Sequence, residues 1–231
     1  SVAMHAAEAA AVAVPHAPVV VGVIDTGVDD RHPDMIGRVD SHHSVSCTWN
    51  GMPNQEYGAW KDYDSHGTMV AGIIAANHNG YGIDGIAPDS TIVSIKAADA
   101  QRHTYPEALA CAFTWAVNHG VDIVNNSYVM GPWRYWDASD PEQAAGLEAA
   151  TRAITFARSQ GVAIFAAAAN DDADNDHPAG QDLPHDGADL ASTRGKRGVM
   201  VPQMIEGVNQ VSAVARQGVV SEGMREVYLR A

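Results

Sequence analysis

Apolar and polar positions follow two alternating patterns along the chain. Short apolar runs bounded by turn residues recur at 19–24, 91–96, 121–125, 162–168 and 208–215. Runs of that length, rich in β-branched residues, read as strands buried on both faces. Helical signals fill the gaps at 66–76, 106–119 and 142–160. The first of these carries Val70, Ile73 and Ile74 among small residues and reads as a tightly packed helix despite two glycines. The second opens with Pro106 and has Gly120 past its end; the third is closed by Gly161. Residues 31–61 mix Gly, Pro, Asn and aromatic residues and read as a loop-rich excursion, and 77–88 as a Gly-rich loop. The Ala-rich residues 1–18 read as an arm ahead of one domain, 19–231. Strands alternating with helices predict an α/β fold: three layers, a mostly parallel twisted sheet with helices on both faces.

Composition narrows the function. A chain of 231 residues, 46% hydrophobic, can bury one large core. A net charge of -14 and a pI of about 5.0 argue against a nucleic-acid partner. No apolar run is long enough to span a membrane. Cys47 and Cys111 are too few for a disulfide-built fold; they either pair or stand free. Residues 1–14 lack the charged start and apolar core of a signal peptide.

The candidate chemistry starts at Asp25, which ends the first apolar run and is followed by Thr26 and Gly27. Open α/β sheets place their sites at strand ends of this kind, although a turn aspartate capping its own backbone also fits. His66 stands at the start of the packed helix, in Asp64-Ser65-His66-Gly67-Thr68. Together, VGVIDTGVD and HGTMVAGIIAA resemble the Asp and His motifs of the subtilisin-like serine proteases. Residues 161–170, GVAIFAAAAN, are similar to the family strand that ends in the oxyanion-hole Asn, and 121–128, VDIVNNSY, to the strand that pairs with substrate backbone.

The resemblance runs from about Val19 onward and implies a subtilisin-like fold and a serine endopeptidase acting through an acyl-enzyme on polypeptide substrates. By it, His66 is the general base, Asp25 orients it, and Asn170 donates to the oxyanion. It also implies substrate contacts at Ser127, Tyr128, Val129, Ala168 and Ala169, and a secreted protein. Val129 and Ala169 stand where the family has glycine, so the pocket is expected to favour small residues or to be blocked. The family's nucleophile lies in a Gly-Thr-Ser-Met-Ala block that this sequence does not contain; Ser221-Glu-Gly-Met is its nearest match in composition. The domain is therefore expected to be C-terminally incomplete, with the serine beyond the chain end or on a second chain or fragment. The alternatives are a non-proteolytic scaffold that binds peptides by strand addition at 127–129, and a peptide-ligating or cyclising relative.

The resemblance also implies a structural calcium ion. Asp34 lies nine residues after Asp25 and would supply a carboxylate. Asn79 would add a side-chain oxygen, and Asn77, Tyr81 and Ile83 carbonyls. The Gln ligand usual near the family's N-terminus has no counterpart here. Residues 171–189 hold seven Asp and no Lys or Arg, and read as a solvated acidic loop or else a weaker calcium loop. His42 and His43 show no zinc spacing.

Overall fold

The structure, a computed structural model, describes residues 17–169 and 198–212. Seven strands form one sheet in the order β3-β2-β4-β1-β5-β6-β7. They are β1 (Val20–Asp25), β2 (Val45–Trp49), β3 (Met52–Asn54), β4 (Thr91–Lys96), β5 (Ile123–Asn126), β6 (Ala163–Ala167) and β7 (Asn209–Val211). Every pairing is parallel except β2 with β3. The helices are α1 (His66–Ala75), α2 (Pro106–Asn118) and α3 (Ala144–Ser159).

β1 lies at the centre because it can be buried on both sides. Its even-numbered Ile24 joins Val93, Ile95, Val124 and Ile164 in a core closed by Leu109 and Phe113 of α2 and Ile154 of α3. Its odd-numbered Val21 and Val23 face the other way, with Ile92, against Ala71 and Ala75 of α1. The expected three layers are present: α2 and α3 cover one face, α1 the other. A parallel sheet requires crossovers, and the helices supply them.

The strand and helix positions agree with the sequence pattern to within two or three residues. Residues 31–61 and the end of the last strand are the exceptions. A turn of 3-10 helix spans Pro33–Met35, and β2 and β3 form a hairpin at the sheet edge. Ser46 and Thr48 interrupt the apolar run of β2, which hid it as a strand. The turn was legible: Asn50 and Gly51 have φ of 50° and 66°, and Asn-Gly is the pair that adopts a two-residue turn with both φ positive. The last strand is shorter than the pattern suggested, Asn209–Val211 within 208–215. Residues 1–16 of the N-terminal arm, Asn170, the acidic run 171–189 and Ser221 lie outside the described residues.

Cys47 of β2 and Cys111 of α2 are joined in a disulfide that closes a separation of 64 residues. It ties the edge hairpin to the helix layer beneath it. Closing a loop of that size restricts the unfolded chain, so Cys47→Ala with Cys111→Ala is expected to lower stability by about 2–4 kcal/mol. A denaturant midpoint equal to that of the unaltered protein would contradict this.

Candidate active site

Asp25 ends β1 and is 2% exposed. Its Oδ1 accepts from the Thr26 N–H at 2.7 Å and lies 2.7 Å from His66 Nδ1. A carboxylate so placed can only accept, so the imidazole carries its proton at Nδ1 and leaves a lone pair at Nε2. The His66 side chain is 39% exposed, so the ring is reachable. Its pKa is raised above the ordinary value, chiefly by the hydrogen bond it donates to Asp25, against burial, which lowers it.

Two close backbone approaches set this geometry. Gly67 follows His66, and a Cβ there would lie 2.1 Å from the Gly27 carbonyl oxygen. Gly27 has φ of 109°, and a Cβ on it would lie 2.6 Å from the Trp60 carbonyl oxygen. The fully buried residues of α1 are all small, Gly67, Ala71, Gly72 and Ala75, with Val70 and Ile74 packed partly buried beside them, so the first turn of the helix rests almost directly on the end of β1.

The first turn of α1 has no cap from its own N-cap residue, Ser65. Its N–H groups are satisfied from elsewhere. Thr26 Oγ1 accepts from Gly67 N at 2.9 Å, and Asp62 Oδ2 accepts from Thr68 N at 2.9 Å. Asp62 also accepts from Thr26 Oγ1, Thr68 Oγ1 and the N–H groups of Asp64 and Ser65. Burial alone would raise the Asp62 pKa, but these bonds, led by Thr68, hold it below the ordinary value. Asp62 thereby fastens the end of β1 to the start of α1. Sequence reasoning passed over it; the available signal was a carboxylate shortly before a helix start, where it can satisfy orphan N–H groups.

The other expected contacts gather at the same edge of the sheet. Ser127, Tyr128 and Val129 follow β5, the neighbour of β1, and Ala168 and Ala169 follow β6, the next strand. Ser127 Oγ accepts from Asn125 Nδ2 at 2.9 Å. Tyr128 donates its hydroxyl to the buried Asn126 Oδ1 at 2.7 Å, and burial pushes its pKa well above the ordinary value. Ala169 has φ of 79°, a left-handed conformation that suits glycine and strains alanine. Asn170, the expected oxyanion donor, falls outside the described residues.

The expected calcium residues also meet. Asp34 is 4% exposed. Its backbone carbonyl accepts from Asn77 N at 2.9 Å, and its Oδ2 from Ile83 N at 3.1 Å. Its Oδ1 is buried with no hydrogen-bond partner. Asn79 Oδ1 accepts from Tyr81 N at 2.9 Å, and Asn77 Oδ1 from Arg38 Nε at 2.6 Å. Among the described residues no three His, Cys, Asp or Glu side chains converge as a metal cluster.

Gly67→Ala is expected to push α1 off the end of β1. The overlap is with backbone, which yields less readily than a side chain, so the loss should be about 1–3 kcal/mol. The low-field Nδ1 proton signal of His66 should vanish with it. A variant of unchanged stability that keeps this signal would show that the helix is not seated by the Gly67 contact.

The chain matches the profile of the subtilase family, Peptidase S8, over residues 17–221. It is 35% identical over 151 residues to the minor extracellular protease Epr of Bacillus subtilis (strain 168), covering 65% of this chain and 20% of that one. It is 31% identical over 151 residues to subtilisin of Bacillus pumilus, covering 65% and 47%. The chain therefore spans less than half the length of these relatives. Among solved structures it is similar to the epidermin leader peptide processing serine protease of Staphylococcus aureus, with a TM-score of 0.68, 22% identity and coverage of 89% and 48%. It is also similar to the nisin leader peptidase of Lactococcus lactis, with a TM-score of 0.62, 25% identity and coverage of 92% and 60%. A profile match of that extent, over a sheet that carries a hydrogen-bonded Asp–His pair at its carboxyl edge, means that the chain belongs to the subtilase family.

Proposed function

We propose that this chain supplies the acid–base half of a subtilisin-type serine endopeptidase. The observation that carries the reading is the 2.7 Å bond between the buried Asp25 and the accessible His66. Nε2 of His66 takes the proton of a serine hydroxyl as its oxygen attacks the scissile carbonyl. It returns that proton to the leaving amine, and water then releases the acyl group by the same route. Asp25 keeps the imidazole in the required tautomer and stabilises the imidazolium. Asn170 is assigned the oxyanion by its place in the motif. The nucleophile is assigned to a serine outside these 231 residues or on a second chain, because no Gly-Thr-Ser-Met-Ala block occurs among them. Ser127–Val129 and Ala168–Ala169 form the walls against which substrate lies, with Val129 and the strained Ala169 narrowing the pocket. The likeness to an extracellular protease and the disulfide, which belongs in an oxidising compartment, support a secreted protein.

A calcium ion at Asp34 is part of this reading. The buried Oδ1 without a partner is where a hard cation would satisfy a carboxylate, with Asn79 and the carbonyls of Asn77, Tyr81 and Ile83 completing the oxygen set. Bound there, the ion would neutralise Asp34 and fasten the 77–83 loop. A chelator is expected to lower the melting temperature, at about 2–4 °C per kcal/mol lost, and Asp34→Asn to abolish that response. Melting curves that overlay with and without chelator would remove the calcium site.

The protease reading is tested with a fluorophosphonate probe on the protein together with its serine-bearing segment or partner. Labelling should occur, and Asp25→Asn should reduce turnover by roughly 10⁴. His66 must be neutral to accept a proton, and its pKa is raised. The acid limb of kcat/KM should therefore have its midpoint above about 6.5, the value of an unperturbed imidazole. Absence of label on the complete protein would remove the enzyme reading and leave a peptide-binding scaffold.

A further inference from the structure

Two charged side chains beside the catalytic pair take no part in the Asp25–His66 bond. Arg102 Nε donates to Asp64 Oδ2 at 2.7 Å. The pair links the segment entering α1 to the loop after β4. Both ends are held. Asp64 sits two residues before His66, with its N–H on Asp62 Oδ1 at 2.9 Å. Arg102 has φ of 64° and donates its N–H to the Asp99 carbonyl at 3.1 Å, within a loop closed by the Ala98–Thr104 bridge. The Arg102 side chain is 66% exposed and that of Asp64 26%. Asp64 Oδ1 is buried and has no hydrogen-bond partner.

We propose that Arg102 is a positioning residue for proton transfer at His66: paired with Asp64 where the segment entering α1 meets the loop after β4, it offsets part of that carboxylate's charge beside the imidazole that serves as general base. The inference rests on the reading of His66 as the base. The other charged and titratable groups of the neighbouring elements are each engaged. Asp25 of β1 holds Nδ1. Asp62 accepts from donors of β1's end and α1's first turn. Lys96, at the end of β4, donates to the Lys61 carbonyl at 3.0 Å, and burial lowers its pKa. Tyr128 stays neutral because burial raises its pKa. Asp64 is left as the acidic charge that bears on His66, and among the described residues its one ion-pair partner is Arg102. After the Asp25 bond and burial, the smaller influences on His66 are of opposite sign: Asp64 raises its pKa and Arg102 lowers it.

The test is an NMR titration of the His66 imidazole in the folded protein, which needs no turnover. At low ionic strength, Arg102→Gln should raise the midpoint by about half a pH unit, the scale of an exposed charge pair. Arg102→Lys should restore most of it. Asp64→Asn should lower the midpoint, and high salt should shrink both shifts. A purely structural role for the pair predicts that Arg102→Gln and Asp64→Asn move the midpoint in the same direction or not at all, and either result overturns the proposal. Opposite shifts in a protein whose Asp25→Asn variant is still fully active would instead keep the electrostatics and remove the protease reading.

Discussion

The Gly67–Gly27 contact is the constraint on which the site depends. A helix normally keeps its neighbour at side-chain distance, about 8–10 Å between axes. Here the first turn of α1 meets the end of β1 with no side chain between them. That closeness lets a histidine at the first helical position reach an aspartate at a strand end with a 2.7 Å bond. The small residues on the inner face of α1, the positive φ of Gly27 and the small core between α1 and β1 all serve the same approach.

A close approach of backbones also creates an electrostatic demand. The N–H groups of the first turn of α1 point at a crowded, partly buried junction. Asp62 and Thr26 meet them with side-chain oxygens. The protein thus places three carboxylates at this junction: Asp25 on the imidazole itself, and Asp62 and Asp64 in the segment leading into α1. Each is handled separately: Asp25 by the imidazole itself, Asp62 by hydroxyl and amide donors, and Asp64 by Arg102. In a chain with a net charge of -14, local pairing of this kind decides the behaviour of the site more than the overall charge does.

Much of this was legible in the chain. The central strands β1 and β4 are short, largely β-branched runs, and Asp25 and His66 lie where such runs and a small-residue helix meet turn signals. What was not legible depends on partners distant in sequence. Thr26 and Asp62 are 36 positions apart, Arg102 and Asp64 are 38, and the two cysteines are 64. No local pattern announces those meetings; the sheet order creates them. The β2–β3 hairpin is a different kind of miss, since Asn50-Gly51 is a local turn signal, hidden because Ser46 and Thr48 made β2 look like loop.

The short β3 has a further effect. It forms one edge of the sheet, with only three residues, and the middle one is Pro53, which has no N–H to offer a neighbour. An edge so blunted resists templating by other extended chains. Pro53 removes one backbone donor from this edge, which disfavours self-association and adventitious strand pairing there.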